Sequence, residues 1–323
     1  MKEKGGKNNF YFPFCFSENV GGFMLNALYE KCELCPRKCG VNRYVKTGFC
    51  KVYAMPKIGR AALHFWEEPC ISGTSGSGTV FFSGCTLRCC YCQNFNLSRG
   101  NEGIVTDENQ LYKIFLKLQS DGAHNINLVT AEHYAPSVKD AVVEARKKGL
   151  TIPVILNSSG YVSLNTLEIL KDVIDVYLVD FKYADAGLSK KYSLAEDYPL
   201  VAWKALEQMI KLKPKPVFDE NGIIQSGVVV RHLCLPEHTE DSKKVIKQVF
   251  EKYKDKVVLS IMSQYTPMGK AGFENLNRKL SEEEYNDIID YCISLGIEDA
   301  YIQEGEAASE SFIPDFKGKG VFF

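Results

Sequence analysis

Net charge is almost missing from this sequence: 39 basic residues stand against 40 acidic ones, leaving −1 over 323 residues. Such a balance offers a polyanion nothing to bind, so nucleic acid is not an expected partner. The short basic stretch KLKPKP (Lys211 to Pro216) reads as a solvated, proline-stiffened loop. Also missing is any apolar run near the roughly 18 residues of a membrane span. FYFPFCF (Phe10 to Phe16) is too short and too aromatic for a signal peptide, and SEN follows it where a small-residue cleavage site would stand. It reads as a segment packed onto the domain. A dinucleotide fingerprint is absent too: GTSGSG (Gly73 to Gly78) precedes a strand instead of joining strand to helix, and reads as a plain loop. The expectation is a cytoplasmic protein with no membrane contact.

Cysteine, by contrast, is abundant. There are twelve, and eight fall in two tight clusters. In a chain without an export signal, thiols grouped in this way more often hold metal than form disulfides. Cys15, Cys70, Cys234 and Cys292 are scattered and read as plain buried residues.

From about Gly78 onward, short apolar runs alternate with helical stripes. TVFFSG (Thr79 to Gly84), NINLVTA (Asn125 to Ala131), IPVILN (Ile152 to Asn157), VYLVDFK (Val176 to Lys182), GVVVRHLCL (Gly227 to Leu235) and VVLSIMSQ (Val257 to Gln264) read as strands. Between them, residues such as Leu111, Ile114, Phe115 and Leu118 recur at helical spacing. PVFDENGII (Pro216 to Ile224) reads as a small hairpin with an Asn-Gly turn. A helix over Ser281 to Leu295 and a short strand, AYIQE (Ala300 to Glu304), follow. Six βα units imply a parallel sheet and an α/β partial (β/α)6 TIM-like barrel. Residues 1–60 show little periodicity. The expected division is a cysteine-rich extension over 1–66, then a barrel with a C-terminal helical cap over 67–323.

The second cluster, GCTLRCCYCQN (Gly84 to Asn94), spaces Cys85, Cys89 and Cys92 by three and two residues. Iron–sulfur clusters usually take four thiolates, so three leave one iron open to a further ligand. The loop follows the first strand, on the face where barrels of this type place their chemistry. A zinc site is the competing reading.

This spacing resembles the radical S-adenosylmethionine (SAM) signature. Glu67 to Asn94 is similar to the corresponding stretch of proteins related to pyruvate formate-lyase activating enzyme. The resemblance implies a [4Fe–4S] cluster on Cys85, Cys89 and Cys92, with SAM bound to the open iron through its amino and carboxylate groups. It also implies an oxidoreductase that cleaves SAM reductively to a 5′-deoxyadenosyl radical for hydrogen abstraction. Cys90 would not be a ligand, and Tyr91 would cover the adenine end.

The same resemblance places the remaining cofactor residues at strand ends. Thr130 and Glu132 in VTAEHY (Val129 to Tyr134) stand where relatives carry a Gly-Gly-Glu run for the SAM amino group, but here the glycines are missing. The plain alternative for Glu132 and His133 is a solvated loop pair. Asn157 and Ser158 would meet the methionine or ribose portion, unless they form a simple turn. Asp180 and Lys182 look like the Asp-x-Lys pair that lies beside SAM. Arg231 and His232, in VVRHLCLPEH (Val229 to His238), would come near the pocket, where a buried cation needs a counter-ion.

The first cluster, Cys32, Cys35, Cys39 and Cys50, is a candidate auxiliary site, with zinc and a second iron–sulfur cluster both open. Implied partners are a flavodoxin- or ferredoxin-type electron donor and a glycyl radical enzyme whose glycine would lose hydrogen. Two other readings stand beside this one. One is radical modification of a small molecule or peptide; the other is a non-enzymatic metal-binding or redox-sensing protein.

Overall fold

The computed structural model describes residues 26–268, 271–303 and 315–321. Cys15 and the Phe10–Phe16 run lie outside the described residues. Ten strands make up the sheet: β1 (Lys57–His64), β2 (Ser77–Phe82), β3 (Ile104–Val105), β4 (Ile126–Val129), β5 (Val154–Ser158), β6 (Val176–Asp180), β7 (Val217–Phe218), β8 (Ile224–Leu233), β9 (Val258–Met262) and β10 (Ala300–Ile302). The helices are α1 (Ala27–Glu30), α2 (Pro69–Ser72), α3 (Phe95–Ser98), α4 (Glu108–Ser120), α5 (Ala135–Lys147), α6 (Leu164–Leu170), α7 (Ala186–Ser193), α8 (Tyr198–Leu212), α9 (Thr239–Tyr253) and α10 (Glu282–Ser294).

The six expected strands are β2, β4, β5, β6, β8 and β9. They pair in that order, all parallel, with helices in the connections. β10 adds in parallel to β9 at one edge, and β1 and β3 add antiparallel at the other. Among the described residues the two edges do not pair, so the sheet is an open, partial (β/α)6 barrel. Buried on both faces, β2 and β5 are protected along their whole length, which is why parallel strands read as unbroken apolar runs. Helix starts follow their caps: Asp107 and Gln110 form a capping box on α4, as Ser281 and Glu284 do on α10. The Asn-Gly hairpin forms as expected, joining β7 to β8.

β1 was not expected, because residues 1–60 looked unpatterned. A register shift between Ile58 and Arg60 breaks the alternation that would have signalled it. The sheet therefore begins at Lys57, inside the segment read as an extension.

Residues alternate across each strand, and this sorts the barrel interior. Ile155, Leu178 and Val229 point inward at the lower end, where Cys70 and Ile71 of α2 close the barrel with them. Two residues further on, Asn157, Asp180 and Arg231 line an open cavity at the carboxyl ends of the strands.

The cysteine-rich segment packs against the barrel through Arg43, which is fully buried. Its guanidinium donates to the carbonyl oxygens of His133 and of Tyr53, the latter at 2.6 Å. It also lies against the rings of Tyr29 and Tyr134, at 4.9 and 5.0 Å. Replacement by leucine would leave the buried His133 carbonyl and the part-buried Tyr53 carbonyl without this donor. Arg43→Leu should lower the unfolding free energy by about 2–4 kcal/mol, read from urea denaturation.

Candidate active site

The cavity at the strand ends has a volume of about 260 Å³. Three thiols reach it: Cys85, Cys89 and Cys92 are among its lining residues, and Cys90, between them, is not. Burial pushes the Cys85 and Cys92 thiols up, and the neighbouring Cys89 adds to the effect in both. Among the described residues no three His, Cys, Asp or Glu side chains have closed to metal-ligand geometry. The donor set nonetheless has the chemistry of a three-thiolate cluster site: three thiols of one loop line one cavity, and the intervening Cys90 does not.

The loop is strapped to the end of α7. The amides of Arg88 and Cys90 donate to the carbonyls of Ser193 and Tyr192, at 3.2 and 2.8 Å. Side chains continue the link: Cys89 Sγ lies 3.0 Å from Ser193 Oγ, which lies 2.8 Å from Tyr183 Oη, which lies 2.6 Å from Tyr91 Oη. Tyr91 lines the cavity. Ser193 and Tyr183 carried no signal in the sequence, since a serine at a helix end and a tyrosine after a strand are commonplace.

The cavity floor is an ion network centred on Arg231. Nε donates to Asp180 Oδ1 at 2.9 Å, Nη1 to Glu67 Oε2 at 2.8 Å and Nη2 to Asn157 Oδ1 at 2.7 Å. Glu67 also accepts from Asn127 at 3.1 Å, and Asp180 accepts from Lys182 Nζ at 2.7 Å. Burial works against ionisation of Asp180, but the Arg231 and Lys182 cations outweigh it and hold the carboxyl down at about 2. Burial raises the neighbouring Glu68. Glu67 was not singled out from the sequence; only the fold brings it to Arg231.

Of the other expected residues, Thr130, Asn157, Ser158, Asp180, Lys182 and Arg231 all line the cavity. Glu132 does not. It is buried behind the floor and accepts a hydrogen bond from Ser158 Oγ. Neither it nor His133 is a solvated loop residue, since both are 1% exposed. Thr130 holds a left-handed backbone, φ 58°, which glycine adopts freely and a β-branched residue does not. The chain thus keeps a glycine-like turn where the expected glycines are missing. In NSSGY, Gly160 does meet that demand: at φ 77°, an added Cβ would stand 2.7 Å from the Asp180 carbonyl oxygen. His232 faces away from the cavity. Its Nδ1 meets the Phe181 carbonyl at 2.7 Å and its Nε2 meets Ser242 Oγ at 2.8 Å, because strand alternation puts it opposite Arg231.

In the N-terminal group the backbone turns tightly. The Gly40 amide donates to Cys32 O at 3.0 Å and the Cys32 amide to Val41 O at 2.9 Å. Burial pushes the Cys35 thiol up to about 12, and the nearness of Cys50, Cys32 and Cys39 contributes. Cys70, Cys234 and Cys292 are buried, as expected.

The family model of the Radical SAM superfamily matches residues 79–249. An uncharacterised protein of Methanocaldococcus jannaschii is 29% identical over 265 residues, covering 80% of this chain and 72% of that one. Among solved structures, Streptococcus suis SuiB bound to precursor peptide SuiA is similar over 69% of this chain and 47% of its own, with a TM-score of 0.49 and 11% identity. The FeFe-hydrogenase maturase HydG from Carboxydothermus hydrogenoformans is similar over 73% and 56%, with a TM-score of 0.49 and 14% identity. The chain spans about half the length of these two solved proteins.

Removing Arg231 would leave the buried Glu67 charge without a cation and Asp180 with Lys182 alone. Arg231→Met should cost about 3–5 kcal/mol in urea unfolding, and Arg231→Lys should not restore it, because one ammonium cannot aim three donors along a fixed fork. The folded pKa of Asp180 lies below its unfolded value, so its contribution is present above the ordinary carboxylate range. Native stability should therefore fall as pH drops from about 4 to about 2, and Asp180→Asn should flatten that fall.

Proposed function

The chain belongs to the radical SAM superfamily, and on that premise we propose that Cys85, Cys89 and Cys92 hold its [4Fe–4S] cluster, with SAM in the adjoining cavity. Membership implies both groups and an enzyme. When bound, they supply reductive cleavage of SAM and a carbon radical for hydrogen abstraction. The observation that carries the assignment of residues is the single cavity shared by these three thiols and the polar ends of β4, β5, β6 and β8. Asn157, Asp180 and Lys182 present fixed polar groups to the cofactor. The ring of Tyr91, pinned through its hydroxyl to Tyr183, forms a rigid apolar wall.

For the substrate, we favour a glycine on a partner protein, the reaction of glycyl-radical activating enzymes. Two things support this: the resemblance of Glu67 to Asn94 to that group, and the exposed Phe65 and Trp66 on the segment leading from β1 to the cavity, of which Trp66 lines it. Aromatic side chains there suit a polypeptide better than a small polar metabolite. A flavodoxin- or ferredoxin-type protein would supply the electron. Cys32, Cys35, Cys39 and Cys50 are proposed as a second metal site, for zinc or a second cluster.

Anaerobic reconstitution with iron and sulfide, then reduction with SAM, should give 5′-deoxyadenosine, and Cys89→Ala should give none. Well-reconstituted native protein that forms none would remove the reading. Metal counts on the same samples test the second site: Cys35→Ala should lose metal while keeping the paramagnetic signal of the first cluster.

A further inference from the structure

The cysteine loop has an outer side built differently from its inner one. There, Lys51, Arg88, Arg99, Asn101 and Leu194 line a shallow surface cleft. Three of the five are cations. Among the described residues, none of Lys51, Arg88 and Arg99 forms an ion pair with a carboxylate. Arg88 is fixed instead by the Phe49 carbonyl and the Phe49 ring, and Arg99 lies 4.7 Å over the Phe95 ring. The acid nearest in sequence, Glu102, accepts from Asn96 Nδ2 at 3.1 Å and acts on Lys57. Several cations elsewhere are paired with acids, as in Lys117–Asp121, Lys190–Glu196 and Arg278–Glu284. The cleft is therefore a local excess of positive charge on a chain whose net charge is −1.

Two of its residues also adjoin the cysteine loop's sulfur contacts in sequence. Leu194, 58% exposed, directly follows Ser193, whose Oγ is 3.0 Å from Cys89 Sγ. Arg88 directly precedes Cys89. One residue separates the surface from a sulfur contact on either side. An exposed leucine ringed by uncompensated cations is the form of a small, transient, charge-steered contact, as electron-transfer encounters are.

We propose that this cleft is the docking face for an acidic one-electron carrier protein that reduces the cluster by way of Cys89. The inference rests on the reading of Cys85, Cys89 and Cys92 as cluster ligands. One electron leaves the carrier and one enters the cluster; no bond forms or breaks, and no proton moves.

The test uses stopped-flow mixing of the reconstituted full chain with a reduced acidic flavodoxin or an acidic ferredoxin, following the cluster's visible absorbance. The double variant Lys51→Glu, Arg99→Glu should be reduced about tenfold more slowly at low salt, and should lose the salt dependence that the native protein shows. Photoreduced deazaflavin, an uncharged reductant, should reduce both at one rate, and their iron contents should match. Lys51→Gln, Arg99→Gln should fall between them, which guards against damage from the reversed charges. Equal carrier rates for native and reversed protein would overturn the proposal, as would equal slowing with deazaflavin, or failure of both carriers to reduce a native protein that deazaflavin reduces. Native protein that takes up a cluster and is reduced by deazaflavin, yet forms no deoxyadenosine, would instead sink the wider functional reading.

Discussion

A guanidinium buried at the mouth of a barrel must be surrounded by acceptors, and Arg231 sets that condition for the whole cavity. Its three donor directions are answered by β6, by β5 and by the segment entering α2. The two charged acceptors are in turn held by other groups: Asp180 by Lys182, Glu67 by Asn127. β5, β6 and β8 are thus tied together at their carboxyl ends through Arg231, while apolar side chains join them at the other end. A parallel sheet makes this division natural, because all its strands finish on the same side.

The strands and helices were legible because each is written in a continuous stretch: an apolar run between turn signals, or a stripe behind a cap. The cysteine loop was legible for the same reason, its three thiols lying within eight residues. What could not be read had its partner far away in the chain. Glu67 meets Arg231 across 164 positions and Cys89 meets Ser193 across 104. Nothing local marks either pair. The orientation of His232 was hidden differently. The valines before it, Val228, Val229 and Val230, are buried on both faces, so no alternation shows which neighbour turns inward. β1 was hidden by its own bulge.

The two sides of the cysteine loop handle positive charge in opposite ways. Inside, Arg231 and Lys182 are saturated by carboxylates and held rigidly, so the floor presents orientation more than net charge. Outside, Arg88 and Arg99 are positioned by a carbonyl and by aromatic faces that leave their charge uncancelled. The first arrangement favours a fixed ligand pose. The second favours long-range attraction with little commitment to a single geometry.

Arg43 has a bearing on how this chain could have been assembled in evolution. The cysteine-rich segment is not a bead that could be added to, or shed from, a finished barrel. Its arginine supplies donors to the turn after β4, and that turn carries Glu132 beneath the cavity floor. Removing the segment as a unit would also remove Arg43, and with it the donor to the turn that places Glu132 under Ser158. The segment and the barrel mouth are therefore mechanically one unit, and a change in the packing of one should be felt in the other.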